Sequence, residues 1–189
     1  MEYANLPDEE LARLFRDGNA AAFEALLDRY SRSIYNFTFR FLGDRADAED
    51  ATQLTLIQAF ESLPTGRPDA SLRPWLFQVA RNKCIDLMRK RRAVPLSTLE
   101  REDDEAPLFD PADAAPLPAD LYEREELQQI LQEAIELLPL RSREVVLMRY
   151  LGELTFVEIG RSLGIPENTA KTLFQRAKST LRAQLGKRL

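Results

Sequence analysis

Apolar residues along the first ninety positions recur at steps of three and four, which is the spacing of one face of an α-helix. The pattern breaks at Asp17-Gly18-Asn19, at Leu42-Gly43-Asp44 and at the loop 64–69, where turn-forming residues cluster. Few stretches alternate apolar and polar residues as a strand does, so we expect an all-α fold. The predicted helices of this half of the chain are 8–16, 20–42, 46–63 and 72–92.

The apolar stripes of these helices indicate which side faces a core. The second helix carries a long stripe that begins at Phe23 and ends at Phe41. Aromatic side chains can also stack on nucleic-acid bases, but a stripe at helical spacing is more typical of a core. In the third helix the side predicted to face inward is formed by Ala51, Leu54, Ile57 and Phe60.

The composition changes sharply over residues 94–119, which contain five prolines, seven acidic residues and one base. A net charge of −6 without periodicity is typical of an extended linker. The sequence therefore predicts two helical domains, 1–93 and 120–189, joined by an acidic, proline-rich linker. The second domain should begin with helices at 120–138 and 142–151, where apolar periodicity returns.

The stretch Thr155–Leu185 predicts two short helices joined by a tight turn. Thr155 with Glu158 three positions later is the capping-box signature of a helix N-terminus. Gly164 stands where that helix would end in a left-handed residue, and Pro166 stands where the next would start. This is the helix-turn-helix pattern, whose second helix enters the DNA major groove.

Charge distinguishes DNA binding from a plain helical hairpin with a solvated basic face. The segment from Arg161 to Arg188 has seven bases and one acid, a local charge of +6 in a chain whose net charge is −5. Such a reversal favours phosphate binding. The outer face of the second helix is predicted to carry Lys171, Thr172, Gln175, Arg176, Lys178 and Arg182.

A second basic segment, from Arg73 to Arg92, also has seven bases and one acid. Basic residues beside Trp75, after a loop, suit single-stranded nucleic acid, although a solvated helix end explains them as well. The acidic residues at the start of the third helix also allow two interpretations. They complement the helix dipole, or they form a polar docking surface for a basic partner.

Composition excludes several classes of chemistry. The chain has one cysteine, Cys84, and no histidine, which argues against a zinc site, an internal disulfide and histidine-based catalysis. No apolar run is long enough for a membrane span, and the acidic start does not resemble a signal peptide. We therefore expect a cytoplasmic protein without a cofactor.

The order of short motifs along the chain resembles the extracytoplasmic-function group of bacterial sigma factors. The motifs in the first half are Tyr30…Ile34-Tyr35, Leu42-Gly43-Asp44…Asp47-Ala48-Glu49-Asp50-Ala51-Thr52-Gln53 and Arg73-Pro74-Trp75-Leu76-Phe77…Ala80-Arg81-Asn82. Those in the second half are Leu138-Pro139…Arg143-Glu144-Val145, Glu158-Ile159-Gly160, Gly164-Ile165-Pro166 and Arg176-Ala177-Lys178. The resemblance covers nearly all of the chain outside the linker.

This resemblance implies an alternative sigma factor that binds core RNA polymerase, recognises promoter −10 and −35 elements and initiates transcription. Polymerase docking would fall on Asp47, Glu49, Asp50 and Gln53. Contacts to the melted −10 element would come from the loop 63–72 with Arg73, Trp75, Arg81, Asn82 and Lys83. Contacts to the duplex −35 element would come from Lys171, Thr172, Phe174, Gln175, Arg176 and Lys178. An anti-sigma factor is a further expected partner, and membrane insertion is not expected.

The recognition helix departs from the family pattern at three positions, which affects the −35 bases it would prefer. Asn168 stands where the family often has glycine, Ala170 where it has valine, and Leu173 where arginine is common. Two other functions are compatible with parts of the sequence. An ordinary helix-turn-helix repressor or activator would not need the basic fourth helix. A metal-dependent nuclease would need more than the acids between Asp47 and Asp50. We expect no enzymatic activity.

Overall fold

The computed structural model describes residue 3 and residues 5–65, 71–93 and 118–186. These residues form helices and no strand, as the periodicity predicted. The helices are α1 (Asp8–Arg16), α2 (Ala20–Leu42), α3 (Arg45–Ser62), α4 (Leu72–Ala93), α5 (Pro118–Glu136), α6 (Leu140–Tyr150), α7 (Phe156–Leu163) and α8 (Glu167–Leu185). None of the helices in these ranges combines the length and apolarity that a membrane span requires. The predicted linker lies outside the described residues except for its last two positions, which already belong to α5.

The aromatic stripe of α2 is core, as predicted. Ile34, Phe37 and Phe41 are fully buried, and the ring of Phe37 meets Phe77 of α4 edge-on at 5.4 Å between centroids. The helix ends at Gly43, whose φ of 74° is readily adopted only by glycine. α2 is therefore the element against which the other helices of the first half pack.

The prediction for the buried face of α3 is confirmed for Ala51 and wrong for its other three residues. Leu54, Ile57 and Phe60 remain 41%, 51% and 53% exposed, although Phe60 touches the rings of the α1–α2 pair. The buried side instead carries small residues, which let α3 lie close to α2 and α4. These residues are Ala48, Ala51, Thr52, Thr55 and Ala59.

α5 and α6 begin slightly earlier than the sequence suggested. α5 starts at Pro118, and α6 starts at Leu140 rather than at residue 142. For α6 the reason is Pro139, whose carbonyl oxygen accepts hydrogen bonds from the backbone N–H groups of Ser142 and Arg143. Proline suits a helix start because it has no N–H to leave unpaired.

The two halves of the chain pack against each other, which the sequence did not predict. α5 and α6 lie on α2, and α7 lies on α4. Arg143 of α6 donates to the carbonyl oxygen of Phe41 at 3.0 Å, and Arg40 of α2 donates to the carbonyl oxygen of Gln128 at 3.0 Å. Most of the buried apolar residues in the described part of the chain form one continuous cluster that spans both halves.

Candidate nucleic-acid interface

The helix-turn-helix forms as the sequence predicted, starting with the cap of α7. Thr155 Oγ1 accepts a hydrogen bond from the backbone N–H of Glu158 at 3.3 Å. The backbone N–H of Thr155 in turn donates to Glu158 Oε2 at 2.7 Å. Each residue thus satisfies an N–H group that the first turn of a helix leaves unpaired. The reciprocal pair fixes where α7 begins.

The turn between α7 and α8 depends on close backbone approach. Gly164 adopts a left-handed φ of 65°, and Ile165 N–H donates to the carbonyl oxygen of Gly160 at 2.9 Å. A Cβ atom at Gly160 would lie 2.7 Å from the Ile165 carbonyl oxygen, which is too close. Glycine at position 160 therefore permits the close approach of α7 to the turn.

α8 presents a polar edge to solvent and an apolar edge to the core. Lys171 is exposed and pairs with Glu167 at 2.6 Å. Thr172 donates to the carbonyl oxygen of Asn168, one turn earlier, at 2.8 Å. The exposed side chains at the middle of the helix are Lys171, Thr172, Gln175 and Arg176, with Lys178 partly buried. These five are the basic and polar residues predicted for −35 contacts.

The sixth residue of that set, Phe174, lies in the core. It is 9% exposed and packs against the rings of Tyr150 and Phe156 at 5.6 and 5.3 Å between centroids. Its spacing from the buried residues Ala170 and Ala177, four back and three forward, is the sequence signal for this position. Phe174 therefore packs α8 against the core and does not face a ligand.

The residues predicted for the −10 element are divided between solvent and the second half of the chain. Asn82 is exposed, whereas Trp75 and Lys83 are partly buried. Arg73 binds the carboxylate of Glu153, and Arg81 binds that of Glu144. Each partner lies more than sixty positions later in the sequence. Residues 66–70 of the predicted −10 loop lie outside the described residues, and the loop is anchored at Leu63 and Leu72, which are both buried.

Arg73 lies in a polar chain that reaches back to α1. Its guanidinium stacks over the Tyr30 ring at 5.6 Å and pairs with Glu153. Burial alone would lower the pKa of Arg73, but its hydrogen bonds to Glu153 and Tyr30 raise it, so the side chain stays charged. Burial raises the pKa of Tyr30 to about 12, and the hydrogen bond to Asp8 acts in the same direction.

The acids predicted for polymerase docking also differ in exposure. Asp47 is 8% exposed and pairs with Arg91 Nε at 2.5 Å, which joins the start of α3 to the end of α4. Glu49 is partly exposed and binds Arg45 within its own helix. Asp50 and Gln53 are exposed.

A groove of about 380 Å³ runs between α2 and α3 beside these residues. Its walls are Leu27, Asp28, Ser31, Tyr35, Glu49, Thr52, Gln53 and Leu56. The exposed apolar side chains Leu54 and Ile57 continue this surface along α3. The sequence reading missed them because their spacing equally suits a buried face.

Comparison with known proteins identifies the two halves. The sequence matches the family model of sigma-70 region 2 over residues 26–94 and that of sigma-70 region 4 over residues 128–181. It is 32% identical over 172 residues to the ECF RNA polymerase sigma factor SigW of Bacillus subtilis, covering 90% of this chain and 92% of SigW. The chain belongs to the extracytoplasmic-function (ECF) sigma factor family.

Other relatives agree with this assignment. The ECF sigma factor is 33% identical to the RNA polymerase sigma factor CarQ of Myxococcus xanthus, over 91% of this chain and 94% of CarQ. Its fold is similar to CnrH, solved in complex with the cytosolic domain of CnrY, with a TM-score of 0.70, 26% identity and coverage of 95% and 97% of the two chains. As an alternative sigma factor, the protein initiates transcription with RNA polymerase, and its family is one of transcription regulators rather than catalysts.

Proposed function

We propose that this ECF sigma factor divides promoter recognition and polymerase docking among three helices. The exposed edge of α8 reads the −35 element as duplex DNA. The start of α4 and the loop before it hold the melted −10 element. The exposed part of α3 docks on core polymerase. The observation that carries the proposal is the helix-turn-helix itself, because its second helix presents basic and polar side chains along one side.

The −35 assignment is supported by the geometry of α8. Gln175 and Arg176 lie about one turn beyond Lys171 and Thr172, so the four side chains cover a short stretch of one helix face. An arginine can bind a guanine edge through two hydrogen bonds, and a glutamine can do so with adenine. Lys178 is partly buried at the edge of this face, which supports contact with a phosphate rather than with a base.

The docking assignment is supported by the mixture of acid and apolar surface on α3. Asp50 and Gln53 stand beside the exposed Leu54 and Ile57 and next to the α2–α3 groove. Such a surface suits a partner helix with basic and apolar side chains, since charge would orient it and apolar contact would hold it. The buried Asp47 stabilises the position of this part of α3 through its ion pair with Arg91 of α4.

The remaining assignments follow from the same function. The polymerase carries out the chemistry, so the protein itself is not an enzyme and needs no cofactor. It works in the cytoplasm, where the polymerase meets the chromosome. The CnrH complex with the cytosolic domain of CnrY supports a protein partner for this chain as well, and we assign that role to an anti-sigma factor.

Site-specific crosslinking in the promoter complex tests these assignments. A photoreactive amino acid replaces Gln175 on α8 or Asn82 on α4, and Glu24, an exposed residue of α2, serves as the control position. We expect crosslinks from position 175 to the −35 duplex, from position 82 to the −10 strand, and none to DNA from position 24. Crosslinks from 175 outside the −35 region, or from 24 as strongly as from 82, would contradict the assignment.

A further inference from the structure

Tyr30 is a buried polar residue of α2 that binds side chains of both α1 and α4. It is 2% exposed, and its hydroxyl group donates to Asp8 Oδ2 at the start of α1. Asp8 Oδ1 accepts from Arg29 Nη1 at 2.5 Å, and Arg29 Nη2 donates to the carbonyl oxygen of Leu6 at 2.8 Å. A buried hydroxyl needs such a partner, because folding removes its hydrogen bonds with water. Asp8 thus joins the start of α1 to Tyr30.

Arg73, the second residue of α4, contacts the same tyrosine. Its guanidinium carbon lies 5.6 Å from the centroid of the Tyr30 ring, which is close enough for a cation–π interaction. The guanidinium also donates a hydrogen bond to the Tyr30 hydroxyl oxygen. A tyrosine hydroxyl has one hydrogen to donate and lone pairs to accept. Because the hydrogen is directed to Asp8, the oxygen presents a lone pair to Arg73.

The contact with Tyr30 does not use all of the binding capacity of Arg73. The Arg73 side chain is 33% exposed, and its Nη1 atom pairs with the carboxylate of Glu153. The guanidinium therefore binds Tyr30 and an anionic oxygen at the same time. A phosphate of nucleic acid offers anionic oxygens of the same kind. Arg73 can thus bind a phosphate while Tyr30 still holds it.

Holding Arg73 in one orientation lowers the cost of binding a strand. A free arginine side chain has many rotamers, and fixing one of them on binding costs free energy. The ring and hydroxyl of Tyr30 already restrict Arg73 before a strand arrives. Both contacts lie within the first half of the chain, next to the loop assigned to the −10 element.

We propose that Tyr30 and Asp8 are positioning residues that orient Arg73 for the −10 strand. This inference rests on the proposed function of Arg73. Neither Tyr30 nor Asp8 touches the DNA. Through them α1, to which the sequence assigned no contact, contributes to −10 recognition.

The test is a double-mutant cycle in the holoenzyme formed from the full chain and core RNA polymerase. Holoenzyme and core alone are titrated with a fluorescent pool of single-stranded DNA of randomised sequence, and their difference gives the contribution of the sigma factor. Tyr30→Phe keeps the ring, removes the hydroxyl and should weaken this binding about fivefold. Arg73→Ala should weaken it at least as much. In the Arg73→Ala background, Tyr30→Phe should have no further effect, because a positioning residue acts only through the residue it holds.

Further measurements separate positioning from a general loss of stability. Affinity for core polymerase and for a randomised duplex pool should stay unchanged in Tyr30→Phe. The control Tyr3→Phe removes a hydroxyl that accepts a hydrogen bond from Asn19 at 2.8 Å in the same half of the chain. It should leave single-strand affinity unaltered, even where urea denaturation shows a lower free energy of unfolding.

A second variant covers the case in which Tyr30→Phe does not fold. Asp8→Ala, at a partly exposed position, removes the acceptor of the Tyr30 hydroxyl hydrogen. It should weaken single-strand binding in the same direction, and only when Arg73 is present.

The outcomes distinguish this inference from the proposed function. If Arg73→Ala leaves single-strand affinity unchanged, the assignment of Arg73 to the −10 element fails, and the positioning role fails with it. If Arg73→Ala weakens binding while Tyr30→Phe and Asp8→Ala do not, only the positioning role is overturned. The same conclusion follows if Tyr30→Phe causes an equal loss with and without Arg73.

Discussion

Arg176 is the single side chain on which the proposed −35 contact can be tested most directly. It lies on the exposed side of α8, next to Gln175 and one turn beyond Thr172. Ala177 beside it is buried, so the helix cannot rotate this face away without exposing its core edge. A planar guanidinium held in this way can bind a guanine edge or a phosphate, and the two differ in how binding depends on sequence and salt.

Replacing Arg176 by alanine separates these possibilities. If Arg176 reads a base, the change should cost about 1–3 kcal/mol in −35 duplex binding and relax preference at one position. If it contacts only phosphate, binding should weaken alike on all sequences and the salt slope should fall by about one. Titrations of the full chain at several salt concentrations measure both, with Arg16→Ala on α1 as control. Affinity and slope that both stay unchanged would remove Arg176 from the interface.

Replacing Asp50 by arginine tests the proposed docking surface on α3. Asp50→Arg places a positive charge on the exposed part of α3, where we propose that a basic partner binds. Repulsion should weaken core polymerase binding at least about tenfold, while helicity by circular dichroism stays normal. Glu9→Arg on α1 makes the same charge change away from α3 and should leave affinity unaltered. Equal core affinity for both variants would count against docking through α3.

The exposure of single residues was predictable where helical spacing determines it and not elsewhere. The polar edge of α8 follows from the buried positions Ala170 and Ala177, which are seven residues apart. The same periodicity identifies Phe174 as core, although it belongs to the set predicted for −35 contacts. Asp47 could not be recognised as buried, because its partner Arg91 lies on another helix.

The limits of the helices follow closely from local sequence signals at their ends. The limits of α1, α2 and α8 agree with those predicted, since turn residues or a proline mark each boundary. The buried side of α3 did not follow, because that helix has apolar residues on both sides. Which side is covered depends on how near α2 and α4 approach, and small residues such as Ala51 and Ala59 permit the closer packing.

The cap of α7 gives an element-scale prediction. Thr155→Ala removes the hydroxyl that accepts the Glu158 N–H, so the variant should lose about 1 kcal/mol in free energy of unfolding. Thr155→Ser keeps the hydroxyl and should stay within a few tenths of a kcal/mol of the unmodified protein. Urea denaturation followed by circular dichroism measures both. A loss of the same size for serine and alanine would mean that packing of the methyl group, rather than the cap, stabilises α7.

The whole molecule differs from the sequence-based picture in how its halves are arranged. The acidic composition of 94–119 predicted two helical domains joined by a linker, and it gave no indication that α5, α6 and α7 pack on α2 and α4. Contacts such as Arg81 with Glu144 join positions 63 residues apart and leave no local signature. The compact arrangement covers part of the face of α4 that we propose for the −10 element.

The most direct test of the central claim is transcription itself. Core RNA polymerase is incubated with a library of promoter fragments, with and without the full-length protein, and the run-off transcripts are sequenced. We predict that a set of promoters fires only when the protein is present, and that these promoters share paired −10 and −35 motifs at a fixed spacing. If adding the protein produces no new initiation at any promoter in the library, the account of this chain as a promoter-recognising sigma factor is contradicted.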